Sequence, residues 1–283
     1  MRPVIEKWIC NIDIVAFCNQ SCNYCARHMN HIRSDQKGHM TLAQIDGALL
    51  SLKSWPNAVG ISGGEPLLHP EFPAVCEVIR SHFGKHRMFL FTSHRKNLAK
   101  YEQIIANTFG VVHIHEHTVA EKLTNKHQVL TMASGDVVED KEFLEELIDD
   151  CWAHKYWAPS INEKGATFCE IAAGISRIFD LGIEWKVEPG WYNNDFTAQR
   201  NACCYLCGMP VPMYTQLMIN PTERFSRGLY DKMREHGLNV GPNNLDIFEG
   251  KLSREAIESV RSSWTPWHYR ISDGATKNPC TEK

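Results

Sequence analysis

Residues 12–25 read IDIVAFCNQSCNYC. The first six form a short apolar run of strand character, and it leads straight into Cys18, Cys22 and Cys25. Parallel α/β folds present their chemistry in this way, on loops at the carboxyl ends of strands. Thiolates are soft ligands, suited to zinc and to iron–sulfur clusters. A structural zinc site takes four protein ligands. No fourth cysteine follows at knuckle spacing here, so the zinc alternative is three cysteines with His28 or His31. A [4Fe–4S] cluster held by three thiolates instead leaves one iron free to bind a ligand.

Strand and helix signals alternate outward from this stretch. Thr41 reads as the N-cap of a helix over 42–53, with Leu42, Ile45, Leu49 and Leu52 on one stripe. A second strand over 58–61 runs into Ser62-Gly63-Gly64-Glu65-Pro66. A helix over 70–83, a strand over 87–92, a helix over 98–109 and a strand over 110–114 follow. A strand at 129–132, helices over 140–154 and 167–179, and a strand over 183–188 complete the series. This alternation predicts βα units and a parallel sheet. Beyond 189 it stops, and the chain becomes rich in Pro, Gly, Asn and Cys. The expected organisation is a core over 1–188 and an extension over 189–283, which caps the substrate or holds an auxiliary cluster.

Composition narrows the function. The chain has 283 residues, 43% of them hydrophobic, enough for a substantial core. A formal net charge of −3 gives no overall basic footprint for nucleic acid. Glu6, Lys7 and Asp13 interrupt any secretory apolar region, and no stretch of 18 uncharged apolar residues exists to span a membrane. A cytoplasmic protein is expected. Eleven cysteines, an odd number, then read as metal ligands and thiols rather than as a disulfide framework.

Cys18-x3-Cys22-x2-Cys25 resembles the cluster loop of the radical S-adenosylmethionine (SAM) superfamily, and Tyr24 stands where that family carries an aromatic packed by the adenine. The turn Ser62 to Pro66 resembles the family's GGE motif, which binds the methionyl amino group. Its glycines let backbone carbonyls approach a ligand, and Glu65 offers a carboxylate to an ammonium. Thr92 and Ser93 stand where the family places a polar residue near the methionyl carboxylate; a plain turn is the alternative. The resemblance covers 12–188 and implies a partial (βα)6 TIM-like barrel. It also implies a [4Fe–4S] cluster, SAM as cofactor, and an electron donor such as flavodoxin or ferredoxin.

Other site residues follow from position. The fourth strand ends VVHIHEHT, so His113, His115 and His117 share one face, with His115 and His117 nearest the strand end. Cavity lining, a metal and a solvated strand end all fit them. Lys186 and Glu188 alternate with Ile183, Trp185 and Val187. If the charged face points inward they stand at the barrel mouth; otherwise they are solvated. Cys169, Cys203, Cys204 and Cys207 form a second group, and Cys203-Cys204-x2-Cys207 resembles the auxiliary-cluster regions of several family members. A second [4Fe–4S] cluster would draw on Cys169, Cys203 or Cys204, Cys207 and one more, such as Cys280. Zinc and unligated thiols are the alternatives. A further alternative is that Cys203 or Cys204 donates a hydrogen atom to a substrate radical. Cys10, Cys76 and Cys151 read as buried small hydrophobes.

The expected function is hydrogen abstraction from a polar small molecule, such as a sugar, a nucleoside or an amino-acid-derived group, ending in epimerisation, dehydrogenation or rearrangement. The alternatives are the same chemistry on a peptide or a nucleic-acid base, and a zinc-stabilised binding module without catalysis.

Overall fold

The computed structural model describes residues 2–114, 129–212, 223–240 and 245–261. Strand β1 (Ile9–Val15) is buried at every residue and lies inside a six-stranded sheet of order β4-β3-β2-β1-β5-β6. On one side β2 (Ala58–Gly63), β3 (Met88–Thr92) and β4 (Val111–Ile114) follow in chain order, each parallel to the last. On the other side β5 (Ser160–Asn162) runs parallel to β1 and turns back as the antiparallel β6 (Gly165–Thr167).

Helices α1 (Leu42–Ser51), α2 (Phe72–His82), α3 (Arg95–Lys100) and α4 (Glu102–Thr108) make the crossovers of the parallel half. The segments α5 (Ser134–Val137), α6 (Lys141–Asp149) and α7 (Trp152–Tyr156) lead to β5, and α8 (Glu170–Phe179) follows β6. Farther on come α9 (Thr197–Cys203), α10 (Arg227–Glu235) and α11 (Arg254–Arg261), with β7 (Arg224–Ser226) paired parallel to β8 (Asp246–Phe248). The architecture is an α/β partial barrel.

The local causes are visible. Thr41 and Gln44 close a capping box at the start of α1: Gln44 N donates to Thr41 Oγ1 at 3.2 Å and Thr41 N to Gln44 Oε1 at 2.8 Å. Ile45, Leu49 and Leu52 bury the predicted stripe, and Phe72, Val75, Cys76 and Ile79 do the same on α2. Cys10 and Cys76 are fully buried.

Four expected elements differ, the first being the helix expected over 140–154, which divides into α6 and α7 at Asp150 and Cys151. Residues 129–132 form a turn, since Met132 N donates back to Val129 O at 3.2 Å. The helix expected over 98–109 starts earlier and breaks at Tyr101. Residues 183–188 make no strand. They touch the sheet only at Trp185, whose N and O exchange hydrogen bonds with Ala166 at 2.8 and 2.9 Å. The β5–β6 hairpin takes the place beside β1. Sequence patterning missed it because its strands have three residues each and carry Ser160, Asn162 and Thr167, which face polar groups rather than a core. Among the described residues no helix is long and apolar enough to cross a membrane.

Candidate active site and a second cysteine group

Cys18, Cys22 and Cys25 are partly exposed on the loop that leaves β1. That loop lies on the turn after β2. Gly64 N donates to Val15 O at 2.9 Å, and Glu65 N to Phe17 O at 3.0 Å. Gly63 has φ +131, a region L side chains rarely adopt, and a Cβ on Gly64 would lie 1.9 Å from Phe17 O. Close approach of the cysteine loop therefore demands both glycines, whatever they also offer a ligand. Pro66 opens a single 3₁₀ turn, Pro66–Leu68.

Glu65 is buried and saturated with donors. Oε1 accepts from Thr92 Oγ1 at 2.6 Å and Leu67 N at 3.1 Å, while Oε2 accepts from Ser93 N at 2.8 Å and Ser93 Oγ at 3.1 Å. The Ser62–Pro66 turn and the end of β3 are thus one rigid unit beside the cysteines.

The thiols fit a metal cluster chemically. Gln20 N donates to Cys18 Sγ at 3.4 Å. Burial pushes the Cys18 thiol up to about 11 and raises Cys25 too. Such thiols stay protonated until a cation takes the proton's place, so metal binding and thiolate formation are coupled.

The far end of the loop is clamped by the extension. Tyr24, left-handed at φ 55, donates from N to Glu223 Oε1 at 2.7 Å, and its hydroxyl accepts from Arg224 N at 2.9 Å. Asn30 Nδ2 donates to Glu223 Oε2 at 3.1 Å. His31 lies 3.3 Å by Nε2 from Glu223 Oε1 and 2.7 Å by Nδ1 from Asn239 O, so both its nitrogens are engaged. His28 is buried with neither ring nitrogen bonded, and burial, with His31 nearby, pushes its pKa down to about 3. Among the described residues no group of three or more His, Cys, Asp or Glu is set to hold a single metal ion. Glu223 carried no signal in the sequence, since nothing local ties it to residues 24–31.

Beneath the loop lies a buried charged network. Arg27 Nε donates to Asp13 Oδ1 at 2.9 Å, and Nη2 donates to Glu170 Oε2 at 2.9 Å and Ser62 Oγ at 3.0 Å. Ser62 Oγ and Ser160 Oγ donate to Asp13 at 2.6 and 2.9 Å. Asn11 Nδ2 and Trp157 Nε1 donate to Glu170 at 2.6 and 2.9 Å. Burial lowers the Arg27 pKa, but Asp13 and Glu170 outweigh it and the net shift is upward. Helix α8 presses on the same loop: a Cβ on Gly174 would meet the Arg27 backbone at 3.0 Å. Asp13 and Asn11 were invisible in sequence because they sit in a strand of otherwise apolar residues.

The second set of cysteines comes from distant segments. Cys151 is the N-cap of α7 and Cys169 the N-cap of α8. Cys204 opens the 3₁₀ turn after α9, and Cys207 closes it. Burial raises the Cys204 thiol well above its ordinary value, with Cys151 and Cys169 adding to the effect. It does the same to Cys207, with Cys151, Cys204 and Cys169 contributing. Backbone N–H groups point at these sulfurs: His154 and Ala153 at Cys151, Ala172 and Ile171 at Cys169, and Met209 at Cys207 Sγ, 3.3 Å away. Cys151 packs against the hydrophobic core, and Cys169 adds to the burial that raises its thiol. Cys203 is buried too, with Sγ donating to Ala172 O at 3.7 Å, and after burial Cys169 adds to the rise of its thiol.

Other expected site residues stand apart. Lys186 and Glu188 lie on the surface, paired with each other at 3.0 Å, their side chains 83% and 57% exposed. They are not at a barrel mouth, because Trp185 supplies the one bridge of that segment and the apolar side packs inward. His115, His117 and Cys280 fall outside the described residues. His113 is half-buried, its ring 5.8 Å from Phe91, and burial lowers its pKa.

Residues 12–149 match the model of the Radical SAM superfamily. An S-adenosylmethionine-dependent nucleotide dehydratase from Selenomonas ruminantium is 34% identical over 67 residues, which span 23% of this chain and 23% of that protein. The crystal structure of BtrN with AdoMet and 2-DOIA matches at TM-score 0.42 and 13% identity, covering 71% of this chain and 92% of BtrN. BtrN in an open conformation matches at TM-score 0.38 and 17% identity, covering 72% of this chain and 87% of BtrN.

Proposed function

The chain carries a radical SAM domain and belongs to that superfamily, and from this premise we propose that it is an enzyme that dehydrogenates a polar small molecule, passing the second electron to a second iron–sulfur centre. The reading rests on one observation: the thiols of Cys204 and Cys207, on one turn, are raised by burial and also by Cys151 and Cys169, which come from two other segments. Four cysteines, three of them with N–H donors on their sulfurs, match in number the thiolates that ligate a [4Fe–4S] cluster. In a radical SAM domain the [4Fe–4S] cluster and SAM supply a 5′-deoxyadenosyl radical able to take a hydrogen atom from an unactivated carbon.

The chain's own residues do the rest. Cys18, Cys22 and Cys25 ligate the first cluster, and the Ser62–Pro66 turn with Thr92 and Ser93 fixes the methionyl end of SAM. Arg27 couples the two regions, since it follows Cys25 by two residues and pairs with Glu170, the neighbour of Cys169. Taking one hydrogen atom leaves a substrate radical. Loss of a proton and one electron then completes a two-electron oxidation, and the electron needs an acceptor close by. A sugar, nucleoside or amino-acid-derived substrate fits this chemistry. The nucleotide dehydratase sharing a 67-residue stretch favours a nucleotide-like member of the class.

Anaerobic reconstitution with SAM and reductant tests the proposal. Formation of 5′-deoxyadenosine is expected to vanish in C18A/C22A/C25A and to persist in C151A/C169A/C204A/C207A, which no longer completes turnover. With deuterated candidate substrates, label should enter 5′-deoxyadenosine and the product should be two hydrogens lighter. A product of unchanged mass carrying solvent deuterium would mean epimerisation and overturn the proposal.

A further inference from the structure

Glu223 directly precedes β7 and is buried, yet every donor to its side chain among the described residues belongs to the segment around Cys25. Oε1 accepts from Tyr24 N at 2.7 Å and lies 3.3 Å from His31 Nε2, while Oε2 accepts from Asn30 Nδ2 at 3.1 Å. One carboxylate therefore ties position 24 to positions 30 and 31 and closes the turn between them. That turn is strained. Tyr24 and His28 are left-handed at φ 55 and 52, on either side of Cys25, a conformation that such residues keep only where their surroundings impose it. Inside the closure His28 N donates to Cys25 O at 2.9 Å.

The carboxylate is fixed from its other side. Ser226 N donates to Thr131 O at 3.0 Å and Ser226 Oγ to Asp136 Oδ2 at 2.6 Å, so β7 is anchored without help from the cysteine loop. Asn239 adds a second hold, its N and Nδ2 donating to His31 O and Asn30 O at 3.3 and 3.1 Å.

We propose that Glu223 is a positioning residue for the cofactor site: by holding positions 24, 30 and 31 it keeps Cys25 placed to ligate the loop's cluster. This rests on the reading of Cys18, Cys22 and Cys25 as cluster ligands. A loop with three thiolates has no spare ligand, and the work of ordering a ligand is taken from the free energy of metal binding. Where Glu223 has already ordered the turn, the cluster is retained and SAM meets a fixed site. Where it has not, iron leaves faster and SAM binds less tightly.

The test uses the full chain, reconstituted anaerobically and then exposed to an iron chelator. The phase of iron loss that C18A/C22A/C25A lacks belongs to the loop. E223Q offers one oxygen where the carboxylate offers two, so a donor is left facing a donor. It should speed the loop phase at least about tenfold, as the loss of a hydrogen bond to a charged acceptor would. In reduced protein that still holds the cluster, the change in the electron paramagnetic resonance spectrum on adding SAM should need several-fold more SAM than in the parent. N30A, which removes one donor, should move both readings the same way, and supplies the result should E223Q fail to fold. D246N breaks the ion pair of Arg224 on the same strand and touches no loop residue, so its loop phase should stay within about twofold of the parent's. Iron loss or a SAM requirement unchanged in E223Q, or D246N as fast as E223Q, would overturn the role of Glu223 while leaving the loop cluster in place. Absence of a loop phase from the parent would instead overturn the reading of the three thiols, and the proposal with it.

Discussion

The two cysteine groups are built in opposite ways. The first sits within eight residues of chain on one loop, and its cysteines are partly exposed. The second draws on residues 151, 169, 204 and 207, which cap helices or bound a turn in three separate segments. A loop that must admit a cofactor needs local spacing and an open side. A centre that only exchanges electrons can be enclosed, and enclosure recruits ligands from wherever the fold brings them. The difference predicts separable behaviour: damage near the loop should empty the first group and spare the second.

The largest effect should come from Arg27→Ala, which touches both. It leaves Asp13 and Glu170 as buried carboxylates without their guanidinium, at about 3–5 kcal/mol. Denaturant unfolding should show that loss, and iron should fall at both groups, because Glu170 adjoins Cys169. Iron lost from the loop alone would uncouple the regions. Gly64→Ala should separate them: its Cβ meets the Phe17 carbonyl, which cannot move without shifting Cys18. The expected cost is roughly 2–4 kcal/mol, with SAM-dependent cleavage lost and the second centre's spectrum intact.

A pH titration probes the clamped end of the loop. His28 is held down to about 3 in the folded chain, against its usual 6.5. A depressed folded value means that the unfolded chain binds the proton first, so stability is complete above 6.5 and is lost as pH falls toward 3. The loss at pH 5.5 should be about 1.4 kcal/mol, and His28→Phe should flatten that part of the profile. An unflattened profile would place the proton uptake elsewhere. The smallest effect belongs to the surface pair. Lys186→Ala or Glu188→Ala should change stability by less than about 0.5 kcal/mol, measured by thermal melting, and leave turnover unaltered.

What the sequence disclosed follows the same division. The cysteine loop, the Ser62–Pro66 turn and the parallel strands through β4 were legible, because short spacing and hydrophobic period encode them locally. Thr92 and Ser93 were legible as a strand end. Arg27, Glu170 and Glu223 were not, since each acquires its role through partners more than a hundred residues away, apart from the shorter reach of Arg27 to Asp13 and Ser62 and of Trp157 to Glu170. The proposed pairing of Cys151 with Cys169 was hidden for the same reason: eighteen positions separate them, with a hairpin between. Lys186 and Glu188 illustrate the converse error, an alternation that resembles a strand where the chain makes a single bridge.

Iron and sulfide counts, with Mössbauer spectra, on anaerobically reconstituted parent chain and C18A/C22A/C25A test the central claim most directly. Two [4Fe–4S] centres predict about eight irons per parent chain and about four in the variant, the latter in one fully thiolate-ligated cluster. About four irons in the parent and none in the variant would contradict it.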